Sequence, residues 1–200
     1  MNRCLICFGV IEETINNNYV CKKCLAKFEV IEKKILVDKR EVFILYGYND
    51  FFKELLYRYK GCYDMELKNA FLNNYLFRIL CKYKGRKIIC APSYYKDDEK
   101  RGFNHIKEIA KVINLEIIDC LKKNKNYKQS DQKFNERKEV KNIIKIDKTK
   151  LKGVKRVLIL DDVTTSLSTL KTIIRLLPTD IDAKGLVLAS NCRFMENENV

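Results

Sequence analysis

Asp161 and Asp162 stand side by side after a buried-strand run, Val157-Leu158-Ile159-Leu160. Val163 and a hydroxyl-rich stretch follow, Thr164-Thr165-Ser166-Leu167-Ser168-Thr169. Carboxylates at a strand tip can take ribose hydroxyls, or an Mg²⁺ held by substrate oxygens. Hydroxyls leading into a helix suit a phosphate, because the first helical turn leaves N–H donors free and the helix dipole is positive there. Strand, acidic pair, hydroxyl loop and helix in that order predict a phosphosugar site in an open α/β sheet, where ligands lie beyond the carboxyl ends of strands. A plainer reading uses the same residues: buried strands often end in Asp, and Ser168 fits a helix N-cap. Receiver domains, nucleotidases and Walker B strands also end in acids.

A second group of reactive side chains lies near the start. Cys4-Leu5-Ile6-Cys7 is followed, 13 residues on, by Cys21-Lys22-Lys23-Cys24. Two C-x₂-C knuckles at this separation fit a tetrahedral zinc site with Cys4, Cys7, Cys21 and Cys24 as ligands. Four thiolates leave no open position, so such a zinc is structural, and in so small a module metal binding supplies the folding energy. An iron–sulfur cluster, or four unrelated thiols, are the other readings. Asn16-Asn17-Asn18 supplies a polar turn between the arms. Cys62, Cys81, Cys90, Cys120 and Cys192 sit among apolar neighbours and read as core residues. His105 is the only histidine, which excludes any site needing two.

These groups need a scaffold. Residues 25–40 read as a helix and a charged connection, and Val42 to Tyr46 as a strand. Phe51, Phe52, Leu55, Leu56 and Tyr59 mark one face of a helix running to Gly61. A longer helix is expected from about Met65 to Lys82, with Leu67, Ala70, Phe71 and Phe77 towards the core. Lys87 to Ala91 reads as a strand stopped by Pro92, followed by a polar loop ending in Arg101-Gly102-Phe103-Asn104-His105. Ile106, Ile109, Ala110 and Ile113 mark a helix, and Leu115 to Leu121 fits a further strand. Leu170, Ile173, Ile174 and Leu177 mark the helix after the hydroxyl loop, closed by Pro178, and Leu186 to Leu188 a late strand. Alternating strands and helices predict an α/β fold with a mostly parallel sheet.

The 200 residues suffice for one ordinary domain plus a small module, and a chain one-third charged and nearly half apolar is globular. No run of about 18 apolar residues and no signal-peptide core occur, and nine cysteines, an odd number, suit a reducing compartment, so a cytoplasmic protein is expected. The net charge of +14 is uneven. Residues 122–156 hold 14 Lys/Arg against 4 Asp/Glu, a surplus of 10 that favours polyanions, although lysine is abundant throughout.

Taken in order, several motifs resemble the ComF family, competence-associated proteins with a type I phosphoribosyltransferase-like domain and an N-terminal Cys₄ zinc module. They are the two cysteine knuckles, Tyr57-Arg58-Tyr59-Lys60 before Gly61, the strand end at Pro92, Arg101-Gly102-Phe103-Asn104, Gln129 with Arg137, and Val157 to Thr169. The resemblance implies a zinc module over 1–38 and a phosphoribosyltransferase-like domain over 39–200. It assigns Asp161 and Asp162 to the ribose hydroxyls of phosphoribosyl pyrophosphate, as the catalytic pair. Thr165, Ser166, Leu167, Ser168 and Thr169 would cradle the 5-phosphate, Arg101 with Asn104 would face the Mg²⁺-bearing pyrophosphate, and Gln129 and Arg137 fall in a mobile segment. Two departures stand out: Leu167 replaces a Gly of the family pattern, and His105 a Gln. If position 167 needs a positive φ, or close approach of backbone to phosphate, a branched side chain there costs about 1–2 kcal/mol or crowds the ligand.

Three functions follow from the resemblance. The first is a factor in DNA uptake during natural transformation that binds phosphoribosyl pyrophosphate and/or single-stranded DNA, with lysines along the backbone and Tyr127 and Phe134 stacking bases. The second is an active phosphoribosyltransferase of nucleotide metabolism, for which no base pocket is recognisable. The third is a zinc-stabilised module binding a partner such as a DNA-uptake helicase or another competence protein.

Overall fold

The computed structural model describes residues 3–11, 19–72, 74–123 and 144–191. In chain order the elements are α1 (Lys22–Leu25), β1 (Val30–Val37), β2 (Arg40–Gly47), α2 (Asp50–Gly61), α3 (Lys68–Phe71), α4 (Leu76–Tyr83), β3 (Lys87–Cys90), α5 (Tyr95–Arg101), α6 (His105–Ile113), β4 (Leu121–Lys123), β5 (Ile144–Ile146), β6 (Arg156–Thr164), α7 (Ser168–Leu176) and β7 (Asp182–Ser190).

Successive side chains on the central strands enter opposite cores. Leu158 and Leu160 of β6 join one apolar cluster while Val157 and Ile159 join the other, and on β7 Leu186 and Leu188 face away from Val187. Helices α2, α3, α4 and α6 cover the first face; α7 and the β4–β5 ribbon cover the second. Strands buried on both faces must read as continuous apolar runs, as these do. The sheet order is β1-β2-β7-β6-β3, with β2, β7, β6 and β3 parallel and β1 antiparallel at the edge. The expected α/β architecture, a mostly parallel sheet flanked by helices, is what the structure shows. Among the described residues no helix is long and apolar enough to cross a membrane.

Several local expectations are corrected. Residues 30–37 form a strand rather than the end of a helix and a charged connection. The turn to β2 is a two-residue hairpin in which Asp38 and Lys39 both take positive φ, 46° and 64°, a conformation usually filled by Asn-Gly. A register shift between Val30 and Lys33, with Glu32 at φ 42°, further masks the strand's alternation. A division at residue 38 would therefore separate β1 from β2, which are paired strands of one sheet.

The long helix expected over 65–82 is broken into a 3₁₀ turn at Met65–Leu67, α3 and α4. The break resets the helical phase: Leu67, Ala70 and Phe71 are buried, but Phe77 is 79% exposed while Ile79 and Tyr83 face inward. The polar loop before Gly102 contains α5, closed by Gly102 at φ 80°. In the expected strand 115–121, Ile117 makes only an isolated bridge with Ile88, and β4 starts at Leu121. Cys90 and Cys120 are buried as expected, but Cys62 and Cys81 are exposed. Asn16 to Asn18, Tyr127, Gln129, Phe134, Arg137 and Cys192 lie outside the described residues.

Candidate functional site

β3 and β6 are adjacent, and the long helices that follow them leave for opposite faces, α6 for one and α7 for the other. Adjacent strands whose connections diverge in this way open a crevice at their carboxyl ends. Here β3 ends at Cys90, opposite Leu160, whereas β6 continues through the acidic pair to Thr164 along β7. The acids thus lie on the end segment of β6, which is paired on the β7 side only. A cavity of about 280 Å³ occupies the opening, lined by Pro92 and Ser93 after β3, by Asp161, Asp162 and Val163, and by Lys60, Arg101, His105, Lys123 and Thr169.

The alternation that builds the two cores sends Asp162 with Leu160 towards α2 and α6, and Asp161 with Ile159 towards the face of α7. Both are buried. Asp162 Oδ2 forms an ion pair with Lys60 Nζ and lies 3.5 Å from His105 Nε2. Asp161 Oδ1 accepts the backbone N–H of Asp162 at 2.9 Å. Burial, then the adjacent Asp162 charge, push the Asp161 carboxyl up. At Asp162 burial acts in the same sense, but Lys60 and His105 outweigh it and hold the carboxyl well below its usual range. The pair therefore carries its negative charge on Asp162.

Arg101, at the end of α5, donates from Nε to the Lys60 carbonyl at 3.1 Å, and its Nη1 lies 3.1 Å from both Asp98 Oδ1 and His105 Nδ1. Asn104 caps α6, its Oδ1 accepting the Lys107 N–H at 2.9 Å, and its Nδ2 donates to Ser93 Oγ at 2.8 Å and Asp98 Oδ2 at 2.7 Å. In the hydroxyl loop, Thr164 Oγ1 accepts the Leu167 N–H at 2.9 Å, holding Leu167 at φ 55°, ψ 9°. The side chain of Leu167 is 1% exposed and belongs to the second core. Its burial, worth about 1.5–3 kcal/mol, offsets the roughly 1–2 kcal/mol of left-handed backbone. Thr165, Ser166 and Ser168 are exposed at the start of α7, with Ser166 Oγ 3.1 Å from Ser168 Oγ.

The four N-terminal cysteines converge, their sulfurs all within 4.8 Å of one another. Cys7 Sγ and Cys21 Sγ are 3.7 Å apart, close to the edge of about 3.8 Å that follows for a tetrahedral site with Zn–S near 2.3 Å and far from a disulfide of roughly 2.05 Å. Burial opposes ionisation of Cys4, but N–H groups from Cys21, Cys7 and Ile6 outweigh it and bring its thiol down to about 7. This donor set can hold a metal ion. The knuckle is fixed to α2 by Arg58, which donates from Nη1 to the Ile6 carbonyl at 2.8 Å and lies 5.6 Å from the centre of the Phe8 ring.

No family model matches the chain. It is 28% identical over 154 residues to Competence protein ComFC of Bacillus subtilis (strain 168), covering 76% of this chain and 62% of that protein. Against Competence protein ComFC of Streptococcus pneumoniae (strain ATCC BAA-255 / R6) it is 28% identical over 135 residues, 66% of this chain and 60% of that one. These two matches support an assignment to the ComF family. It spans about three-fifths of the length of the curated relatives it matches.

Of the residues that the ComF resemblance singles out, the crevice gathers Asp161, Asp162, Arg101 and Thr169. Asn104 is not on its wall; its polar atoms are spent on the α6 cap, Ser93 and Asp98. Thr165, Ser166 and Ser168 stand on the exposed loop, and Leu167 points beneath it. Ser168 is the first helical residue and not the cap, a place held by Leu167 without a side-chain bond. Lys60 carries no assigned role in the sequence, although it lies in one of the ComF motifs, and its pairing with Asp162 depends on a contact across 102 positions. By its place at a helix start His105 suits a polar cap; Asn104 is the cap and His105 the first residue of α6, its ring buried between Arg101 and Asp162.

Proposed function

We propose that this chain binds phosphoribosyl pyrophosphate in the crevice between β3 and β6 and acts in the cytoplasm in DNA uptake during natural transformation. The observation that carries the reading is the asymmetric acidic pair at a strand-end crevice beside an exposed hydroxyl loop and helix N-terminus. Ionised Asp162 accepts one ribose hydroxyl, and Asp161, held protonated, can both donate and accept. Thr165, Ser166, Ser168 and Thr169 with the first-turn N–H groups of α7 receive the 5-phosphate. Lys60, Arg101 and Lys123 supply positive charge on the same cavity for the pyrophosphate.

Mg²⁺ fits this site as a passenger of the pyrophosphate oxygens, since Asp162 Oδ2 is already engaged by Lys60 and His105. The donor chemistry of the four thiolates fits structural zinc. A role in competence is supported by the names of the two relatives, and a DNA-uptake helicase is the partner class that this role implies. Single-stranded DNA is the second ligand, supported by the surplus of 10 positive charges over residues 122–156.

Calorimetric titration with phosphoribosyl pyrophosphate and Mg²⁺ tests the reading. The full chain binds saturably, and Asp162→Asn lowers the affinity by about tenfold or more. A wild type that gives no binding overturns the reading, and unchanged affinity in both Asp161→Asn and Asp162→Asn places the ligand elsewhere. For DNA, anisotropy with a labelled single strand shows affinity falling steeply as salt rises; salt-independent binding rejects the backbone contact.

A further inference from the structure

We propose that His105 is a positioning residue for Asp162: its ring, fixed by Arg101 as the neutral Nε2–H tautomer, holds the carboxylate in the orientation with which it meets a ribose hydroxyl. The proposal rests on the ligand reading above, but the arrangement it names is set by the chain's own side chains. A guanidinium has donors only. With Arg101 Nη1 3.1 Å from His105 Nδ1, that ring nitrogen must be the acceptor, and the ring proton lies on Nε2, which faces Asp162 Oδ2 at 3.5 Å.

The ring has little freedom to do otherwise. It is 7% exposed, and the Tyr59 hydroxyl holds the His105 carbonyl at 2.7 Å. Asn104 fixes the preceding residue as the α6 cap. Arg101 is in turn clamped by Asp98 and by the Lys60 carbonyl. Three of the five guanidinium N–H groups are thereby used inside the protein, so much of what Arg101 does for the crevice passes through the imidazole. Lys60 and His105 approach the same oxygen of Asp162 from different helices, α2 and α6.

His105 is the only histidine, so its ring gives a single pair of nitrogen signals in long-range ¹H–¹⁵N spectra of the full chain. The expected result is a neutral Nε2–H ring that Arg101→Met shifts towards a mixture of tautomers. His105→Gln, whose amide N–H can replace Nε2–H, keeps affinity for phosphoribosyl pyrophosphate within about threefold, whereas His105→Ala loses about tenfold or more. An Nδ1–H or charged ring in the wild type overturns the proposal, as does His105→Ala binding like wild type. If the wild type binds no phosphoribosyl pyrophosphate, the ligand reading fails by itself, and the tautomer alone decides whether Arg101 fixes the ring. Should Arg101→Met not fold, the wild-type tautomer still decides.

Discussion

Lys60 and Asp162, 102 positions apart in the chain, form an ion pair that ties the last turn of α2 to the end of β6. Their neighbours extend the tie in both directions. Arg58 binds the carbonyl of the cysteine knuckle, and Tyr59 binds the carbonyl at the start of α6. Three consecutive residues thus join the cysteine cluster, α6 and the acidic pair.

Removing the cation should expose the cost of this arrangement. Lys60→Met leaves the Asp162 carboxylate, with only 7% of the residue exposed, short of its main counter-charge. Because the lysine side chain is 29% exposed, solvent screens some of the loss, and a destabilisation of about 1–3 kcal/mol is expected. The double variant Lys60→Met/Asp162→Asn should recover most of it in urea unfolding. A single variant as stable as wild type would mean that the pair does not hold the fold.

Leu167→Gly separates backbone strain from packing. Glycine relieves about 1 kcal/mol of left-handed conformation at φ 55° but deletes a side chain buried in the second core, worth roughly 2–4 kcal/mol. The net expectation is a loss of about 1–3 kcal/mol, and Leu167→Ala, which loses packing without relief, should lose more. Equilibrium unfolding of the two variants checks both sign and order. A stabilised glycine variant would show that strain dominates.

Which of these features are legible in the sequence follows from the physics of each element. Strands β2, β3, β6 and β7 announce themselves because burial on both faces demands continuous apolar runs, and the knuckles because two thiolates need a fixed short spacing to share one metal. β1 is hidden because Asp38 and Lys39 turn the chain without glycine and a register shift scrambles the alternation. Phe77 is misplaced because periodicity assumes an unbroken helix. At the site, the positive φ at Leu167 can be anticipated from a glycine-like position, but the direction of its side chain cannot. The partnership of Lys60, Arg101 and His105 around Asp162 depends on tertiary contacts that leave no local spacing to read.

Metal removal should reach beyond the first module. Cys4 and Cys24 belong to the same apolar cluster as α2 and α6, and Arg58 clamps the knuckle to the helix that carries Lys60. A strong chelator should release about one zinc per chain, measured colorimetrically, and lower the melting temperature. Cys24→Ser should reproduce the loss. A chain that melts unchanged after complete metal removal would reduce the cluster to four packed thiols.

The acidic pair predicts opposite pH signatures for its two members. Asp161 is raised to about 8 in the folded chain by burial and by Asp162, against about 3.9 unfolded. Between those values the folded state holds a proton that the unfolded state has lost, so this contribution to stability falls as pH rises towards 8. Asp161→Asn should flatten that fall and make the protein more stable than wild type at pH 8, by on the order of 1–2 kcal/mol, because a neutral amide replaces a carboxyl that resists ionisation there. Asp162 is lowered in the folded chain, since Lys60 and His105 outweigh burial. Its contribution is present above the unfolded value and is lost on acidification, so Asp162→Asn should be less stable than wild type at neutral pH and converge with it in acid. Urea unfolding at about pH 3, 5, 6.5 and 8 distinguishes the two, the lowest value reading the Asp162 window and the upper ones that of Asp161. Equal slopes for both variants would mean that the pair shares its proton evenly and that Lys60 does not single out Asp162.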